Sequence, residues 1–190
     1  MSSRRIDNSR LNEKVSMRLS LTKDGFKILD CYHGNGVIWD KIKSKKQIQV
    51  IGIEKERGKG SIALYGECEK VIPRLNLSEY DIIDCDAYGI PYRSIKAIFK
   101  NNTLKKGTVI FYTFIQTGIG RAPDELYENI GVKKQMIQKC PTLFIKAGFD
   151  SFQEFLRRNG ITCIYDSFYQ DGTSRKHYGY FIAGENGKTD

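Results

Sequence analysis

The sequence has no CxxC pair. Its five cysteines (Cys31, Cys68, Cys85, Cys140 and Cys163) are odd in number and scattered, which argues against both a disulfide framework and a zinc cluster and for a reducing, cytoplasmic setting. The two histidines, His33 and His177, are not spaced as metal ligands, so no metal site is expected. Long apolar runs are missing too. The charge-free stretch Thr108–Gly120 falls well short of the ~18 residues that a membrane span needs, so no membrane association is expected. The polar opening from Met1 to Arg10 lacks the apolar segment of a signal peptide. No internal repeat or low-complexity tract occurs, which argues against a solenoid.

Acidic residues are in deficit. Asp and Glu number 22 against 31 Lys and Arg, a net charge of +9 with a pI near 9.3, and such a surface favours polyanions, nucleic acid first among them. The cations cluster at Arg4, Arg5, Arg10, Lys14 and Arg18, at Lys41, Lys43, Lys45 and Lys46, and at Arg157 and Arg158. A chain of 190 residues is about one domain on the usual ~150 residues per domain. Residues 1–25 are expected to form a partly disordered arm or short helix, with near-helical apolar spacing over Leu11–Leu21, and residues 26–190 the compact domain.

Within that domain, Phe26–Tyr32 predicts a buried strand, and Val37–Ile42 a helix entered through a glycine turn. Strands follow at Gln47–Glu54, Ser61–Tyr65, Tyr80–Asp86 and Gly107–Gln116, with helical segments at Glu67–Leu75 and Arg93–Lys100. Thr117–Pro141 reads as an excursion with short helices. Ser151 and Glu154 suggest a capping box for a helix to Arg158. Two last strands, Ile161–Tyr169 and His177–Ala183, meet at Asp171-Gly172, a hairpin signal. Parallel units followed by an antiparallel hairpin predict an α/β three-layer sandwich on a mostly parallel, seven-stranded sheet.

The chemistry points to the turn after the first strand. In an open parallel sheet, ligands bind outside the carboxyl ends of the strands where strand order reverses. Gly34 and Gly36 allow close approach of a ligand there, and Glu54 ends the second strand 18 residues after Gly36, where a carboxylate accepts the hydroxyls of a ribose. A dinucleotide fingerprint needs a third glycine at the position of Trp39, and no Gly-Lys-Ser or Gly-Lys-Thr follows for a phosphate loop. Adenosine without a pyrophosphate remains. In the fourth strand, Asp84 and Asp86 alternate onto one face. Asp86 and Tyr88, at its carboxyl end, offer an acceptor for amino hydrogens and an aromatic platform, and are the candidate catalytic pair. Cys85 is expected in the core, because no Pro-Cys nucleophile motif occurs.

The run Leu29-Asp30-Cys31-Tyr32-His33-Gly34-Asn35-Gly36 resembles the first motif of the Rossmann-like S-adenosylmethionine-dependent methyltransferases. The resemblance spans about residues 26–184. It implies S-adenosyl-L-methionine as cofactor, with Asp30 orienting the methionyl part and Tyr32, His33, Gly34 and Gly36 lining the turn. It further implies that Glu54 holds the ribose, and that Glu67 and Cys68, in Gly66-Glu67-Cys68, lie beside the adenine. Asp86-Ala87-Tyr88-Gly89-Ile90-Pro91 resembles the D-P-Y-G-S-P motif of the tRNA guanine-N2 dimethyltransferases, with Ala87 for proline and Ile90 for serine. That implies methyl transfer to a base nitrogen, in RNA before DNA. Such enzymes hold tRNA with an additional domain, so a protein partner or a homodimer is an expectation. A small-molecule methyltransferase and a nucleic-acid-binding subunit with a degenerate pocket are the other readings.

Overall fold

The structure is a computed structural model that describes residues 10–56, 64–117, 120–161, 165–172 and 174–184. The strands are β1 (Lys27–Asp30), β2 (Gln49–Glu54), β3 (Leu64–Tyr65), β4 (Ile82–Cys85), β5 (Val109–Gln116), β6 (Tyr165–Asp171) and β7 (Ser174–Ile182). They form one seven-stranded sheet in the order β3-β2-β1-β4-β5-β7-β6. The β3-to-β5 part is parallel, and β7 returns antiparallel between β5 and β6. This is the predicted α/β architecture, hairpin included.

Alternation along each strand separates two cores. Ile28, Ile82 and Phe111 point to one face, where they pack with Val15, Trp39 and Ile42 from helices α1 (Leu11–Leu21) and α2 (Val37–Lys43). Leu29, Ile83, Ile110 and Tyr112 point to the other face. They meet residues of α3 (Cys68–Val71), α4 (Tyr92–Lys100) and α8 (Gly148–Arg158). The excursion between β5 and α8 holds three short helices, α5 (Asp124–Asn129), α6 (Lys134–Lys139) and α7 (Pro141–Lys146). The Gln116 amide ties it down by donating to the carbonyls of Gly120, at 2.9 Å, and Ile145, at 2.5 Å.

Two expectations are corrected, and a third falls partly outside the described residues. Ser151 does not cap α8: that helix starts at Gly148, and the Ser151 amide already donates to the Ala147 carbonyl at 2.9 Å. The apolar Phe149 and Phe152 extend the buried face a turn earlier than the serine suggests. Of the third strand, only Leu64 and Tyr65 lie within the described residues, where they pair with Ile53 and Glu54. Lys14 and Arg18 are not part of an exposed basic cluster. They are 4% and 1% exposed, on the face of α1 turned to the sheet.

Candidate active site

Strand order reverses between β1 and β4, and the turn that leaves β1 opens at this point. Gly34 and Gly36 have φ of 55° and 70°, a left-handed conformation that glycine adopts without steric cost. A Cβ on Gly36 would also meet Cε1 of His33 at 2.9 Å, and one on Gly52 in β2 would meet its Cγ at 2.5 Å. The His33 ring is therefore wedged between turn and strand, and its Nδ1 lies 3.0 Å from Oδ2 of Asp30.

Burial dominates the chemistry of that pair. It pushes the Asp30 carboxyl up to about 6, against the hydrogen bond from His33 that lowers it. The hydrogen bond to Asp30 in turn raises His33 above the ordinary imidazole value, with burial opposing. Both folded-state values lie above the unfolded ones. The Asp30 contribution to stability is thus full below about pH 3.8 and is lost as pH rises through about 6; that of His33 is full below 6.5 and is lost above it. Asp30→Asn is therefore expected to gain stability relative to the parent between pH 4 and pH 7. Urea midpoints measured at both values test this, and a constant difference would show Asp30 to be no buried acid.

Glu54 closes the turn from β2. Its Oε2 accepts from the Gly34 amide at 2.9 Å, and its Oε1 from the Glu56 amide at 3.0 Å. Beside it lies a cleft of about 480 Å³, lined by Tyr32, Ile53, Glu54, Glu67, Cys68 and Ile90 among others. The size is that of a small-molecule site. Tyr32 forms one wall, its hydroxyl donating to Oγ of Ser94 at 3.1 Å. Glu67 stands at the mouth, paired with Lys55 at 3.0 Å and Lys70 at 2.5 Å. Hydrogen bonds from Lys70 and Lys55 lower its carboxyl to about 2. The Cys68 thiol donates to the Cys31 carbonyl. Cys31 itself is held well above the ordinary thiol value, by contacts with the Cys68 and Cys85 thiols and by burial. All three sulfurs are buried in the core, and Cys31 has no thiolate character.

Of the candidate residues, the cleft thus gathers Tyr32, Glu54, Glu67 and Cys68. Gly34 joins them through its bond to Glu54, while Asp30, His33 and Gly36 stand behind the turn as its support. Asp86 and Tyr88 lie beyond the end of β4, outside the lining of this cleft. Tyr88 is 72% exposed. Asp86 turns toward α1: Lys14 Nζ donates to both carboxylate oxygens, at 2.9 and 3.1 Å, and the Thr113 hydroxyl donates to Oδ1. Burial alone would raise this carboxyl, but the charges of Arg18 and Lys14 outweigh it and hold it below the ordinary value. Two residues earlier on the same face, Arg18 clasps Asp84 with Nε and Nη2, at 2.6 and 2.8 Å, and Nε1 of Trp39 donates to Asp84 at 2.9 Å.

Sequence reasoning read Lys14 and Arg18 as part of a basic cluster and Trp39 as the residue at a third-glycine position, and missed this network. The signal was a matched spacing. Cations one helical turn apart, ~6 Å, face carboxylates two residues apart on a strand, ~6.6 Å.

No protein-family model matches the sequence, and no curated protein matches it at a significant level. Solved structures do resemble it. The cyclopropane synthase MmaA2 of Mycobacterium tuberculosis superposes with a TM-score of 0.59 at 11% identity, over 90% of this chain and 83% of that one. Phosphoethanolamine N-methyltransferase 2 of Haemonchus contortus, in complex with S-adenosyl-L-methionine, gives 0.57 at 10% identity, over 90% and 52%. A protein of Bordetella parapertussis described as a possible exported protein gives 0.56 at 12% identity, over 91% and 66%. The chain thus spans less than two thirds of the Bordetella chain and about half of the Haemonchus one. At such identities the likeness is one of fold, and that fold is the Rossmann-like sandwich that methyltransferases also use.

Proposed function

We propose that this chain is an S-adenosyl-L-methionine-dependent methyltransferase acting on an exocyclic or ring nitrogen of a nucleic-acid base, in RNA, tRNA-like, before DNA. One observation carries the reading: Tyr32, Glu54, Glu67 and Cys68 converge on a single cleft, at the point of strand reversal, in a methyltransferase-like sheet. The residues fit an adenosyl group. A carboxylate stands where ribose hydroxyls would donate, and Ile53, Ile90 and Cys68 supply apolar surface for a base. Glu67 at the mouth has to share its bonds with Lys55 and Lys70 to contact the ligand.

When bound, the sulfonium supplies an electrophilic methyl group. The chain orients the acceptor. Asp86 is kept anionic by Lys14 and Arg18, and among the described residues its Oδ2 carries the longer Lys14 bond and an Arg18 nitrogen at 3.9 Å. That oxygen accepts a hydrogen from the amine and aims the nitrogen lone pair, with Tyr88 stacked on the base. With the cofactor bound, that nitrogen would take the methyl group, the thioether would leave, and the amine proton directed by Asp86 would pass to solvent.

The test is transfer of labelled methyl to fractionated RNA, DNA and metabolites. Label in RNA is expected, with a rate lower by roughly 10- to 150-fold in Asp86→Ala, the worth of a hydrogen bond to a charged group. Label in metabolites alone would move the assignment to a small-molecule acceptor, the kind named for the Haemonchus protein. No transfer, together with no S-adenosylhomocysteine binding, would end the methyltransferase reading.

A further inference from the structure

The β6–β7 hairpin carries tyrosines on one face in pairs. Register places Tyr165 opposite Tyr180, Ser167 opposite Tyr178 and Tyr169 opposite Lys176, and directly opposed residues share a face. Tyr165 stacks on Tyr180 with centroids 5.4 Å apart and planes at 21°, and Tyr169 lies 5.6 Å from Tyr178. Cations from α1 and the residue that precedes it cover the nearer pair. The Arg10 guanidinium sits 4.0 Å over the Tyr169 ring, and Lys14 Nζ sits 4.9 Å over that of Tyr178. Tyr165 remains 52% exposed.

This face borders the acceptor end of the site. Tyr178 is paired with Thr113 of β5, whose hydroxyl holds Asp86, and Lys14 touches both Tyr178 and Asp86. Tyr165 and Tyr169 are separated by ~13 Å along the strand. Rings at that separation, with cations between them and the site, are the composition of a surface that stacks bases and neutralises phosphates. Arg10 is also cheap to redirect. Among the described residues its ion pair is with Glu13 at 2.8 Å, which is half exposed, and such a pair contributes little.

We propose that this tyrosine face is a track for the single-stranded nucleic acid that flanks the target base, the bases stacking on Tyr169 and Tyr165 and the Arg10 guanidinium moving to phosphate. The track rests on the nucleic-acid part of the function proposed above, and it is testable apart from the cofactor. The charge of the whole chain, +9, suits the ligand.

The experiment is fluorescence anisotropy of an unstructured RNA oligonucleotide, without cofactor, over a range of salt. Tyr169→Ala is expected to weaken binding by roughly 5- to 150-fold, the loss of one stacked base, while Tyr169→Phe keeps the affinity. Arg10→Ala should flatten the salt dependence by about one phosphate contact. Calorimetry with S-adenosylhomocysteine should give the same affinity in Tyr169→Ala as in the parent, which separates the track from the cofactor site. If the cofactor product does not bind at all but Tyr169→Ala still weakens RNA binding, the track stands while the methyltransferase reading falls. Unchanged RNA affinity in Tyr169→Ala, Tyr165→Ala and Arg10→Ala overturns the track whatever the cofactor does. So does tighter binding to duplex than to single strand. A matching DNA strand bound equally well supports stacking without 2′-hydroxyl contacts, and a preference for RNA supports such contacts as well.

Discussion

Arg18→Ala is expected to destabilise the protein by about 3–5 kcal/mol, the cost of leaving a buried carboxylate without its cation. Arg18 and Asp84 are each 1% exposed, and the pair is joined by two short bonds. Burial opposes the charge on Arg18, yet the Asp84 charge and hydrogen bonds more than offset it, and the guanidinium is held above its ordinary value. Removing the cation leaves Asp84 with Trp39 Nε1 as its remaining side-chain donor among the described residues. Urea unfolding of the single variant measures the loss. Arg18→Met combined with Asp84→Asn keeps an acceptor for the indole and removes both charges, so it should recover much of the stability. A loss below about 1 kcal/mol in Arg18→Ala would put the pair in the class of exposed ion pairs and contradict its burial.

The largest effect on ligand binding is expected at Glu54. Glu54→Ala should weaken S-adenosylhomocysteine binding by roughly 10- to 150-fold, since hydrogen bonds to a charged group are worth about 1.5–3 kcal/mol. The carboxylate also fixes the turn by accepting from Gly34, so part of the loss comes through a looser loop. Glu54→Gln retains a carbonyl acceptor for that amide but loses the charge, and should fall between the two. Calorimetry reads all three proteins. Equal affinity in the parent and Glu54→Ala would remove Glu54 from the ribose site, and an absence of heat in the parent would remove the site itself.

The layout of the sheet was legible because strand burial writes itself into alternation. Ile28 and Leu29, like Ile82 and Ile83, divide between the two cores as adjacent strand residues must. The turn at Gly34 and Gly36 and the Asp171-Gly172 hairpin were legible for a similar reason: few residues tolerate the backbone that such turns require. What stayed hidden was side-chain partnership at long range. Lys14 and Asp86 are 72 positions apart, and composition counted Lys14 as surface charge. Ser151 misled because a capping pattern of two residues is weaker than the apolar face of Phe149 and Phe152, which decides where α8 begins. Cys68 was placed beside the cleft by resemblance, but its bond to the Cys31 carbonyl has no trace in spacing.

Lys14 is a shared resource. One ammonium group serves the carboxylate of Asp86 and the ring of Tyr178. Whatever draws it toward the hairpin loosens its hold on Asp86, and whatever engages Asp86 changes what Lys14 offers the hairpin. Two occupancies linked through one charge have a coupling free energy, and that coupling is reciprocal. The factor by which a ligand on the hairpin alters affinity at the Asp86 end must equal the factor by which a ligand there alters affinity on the hairpin.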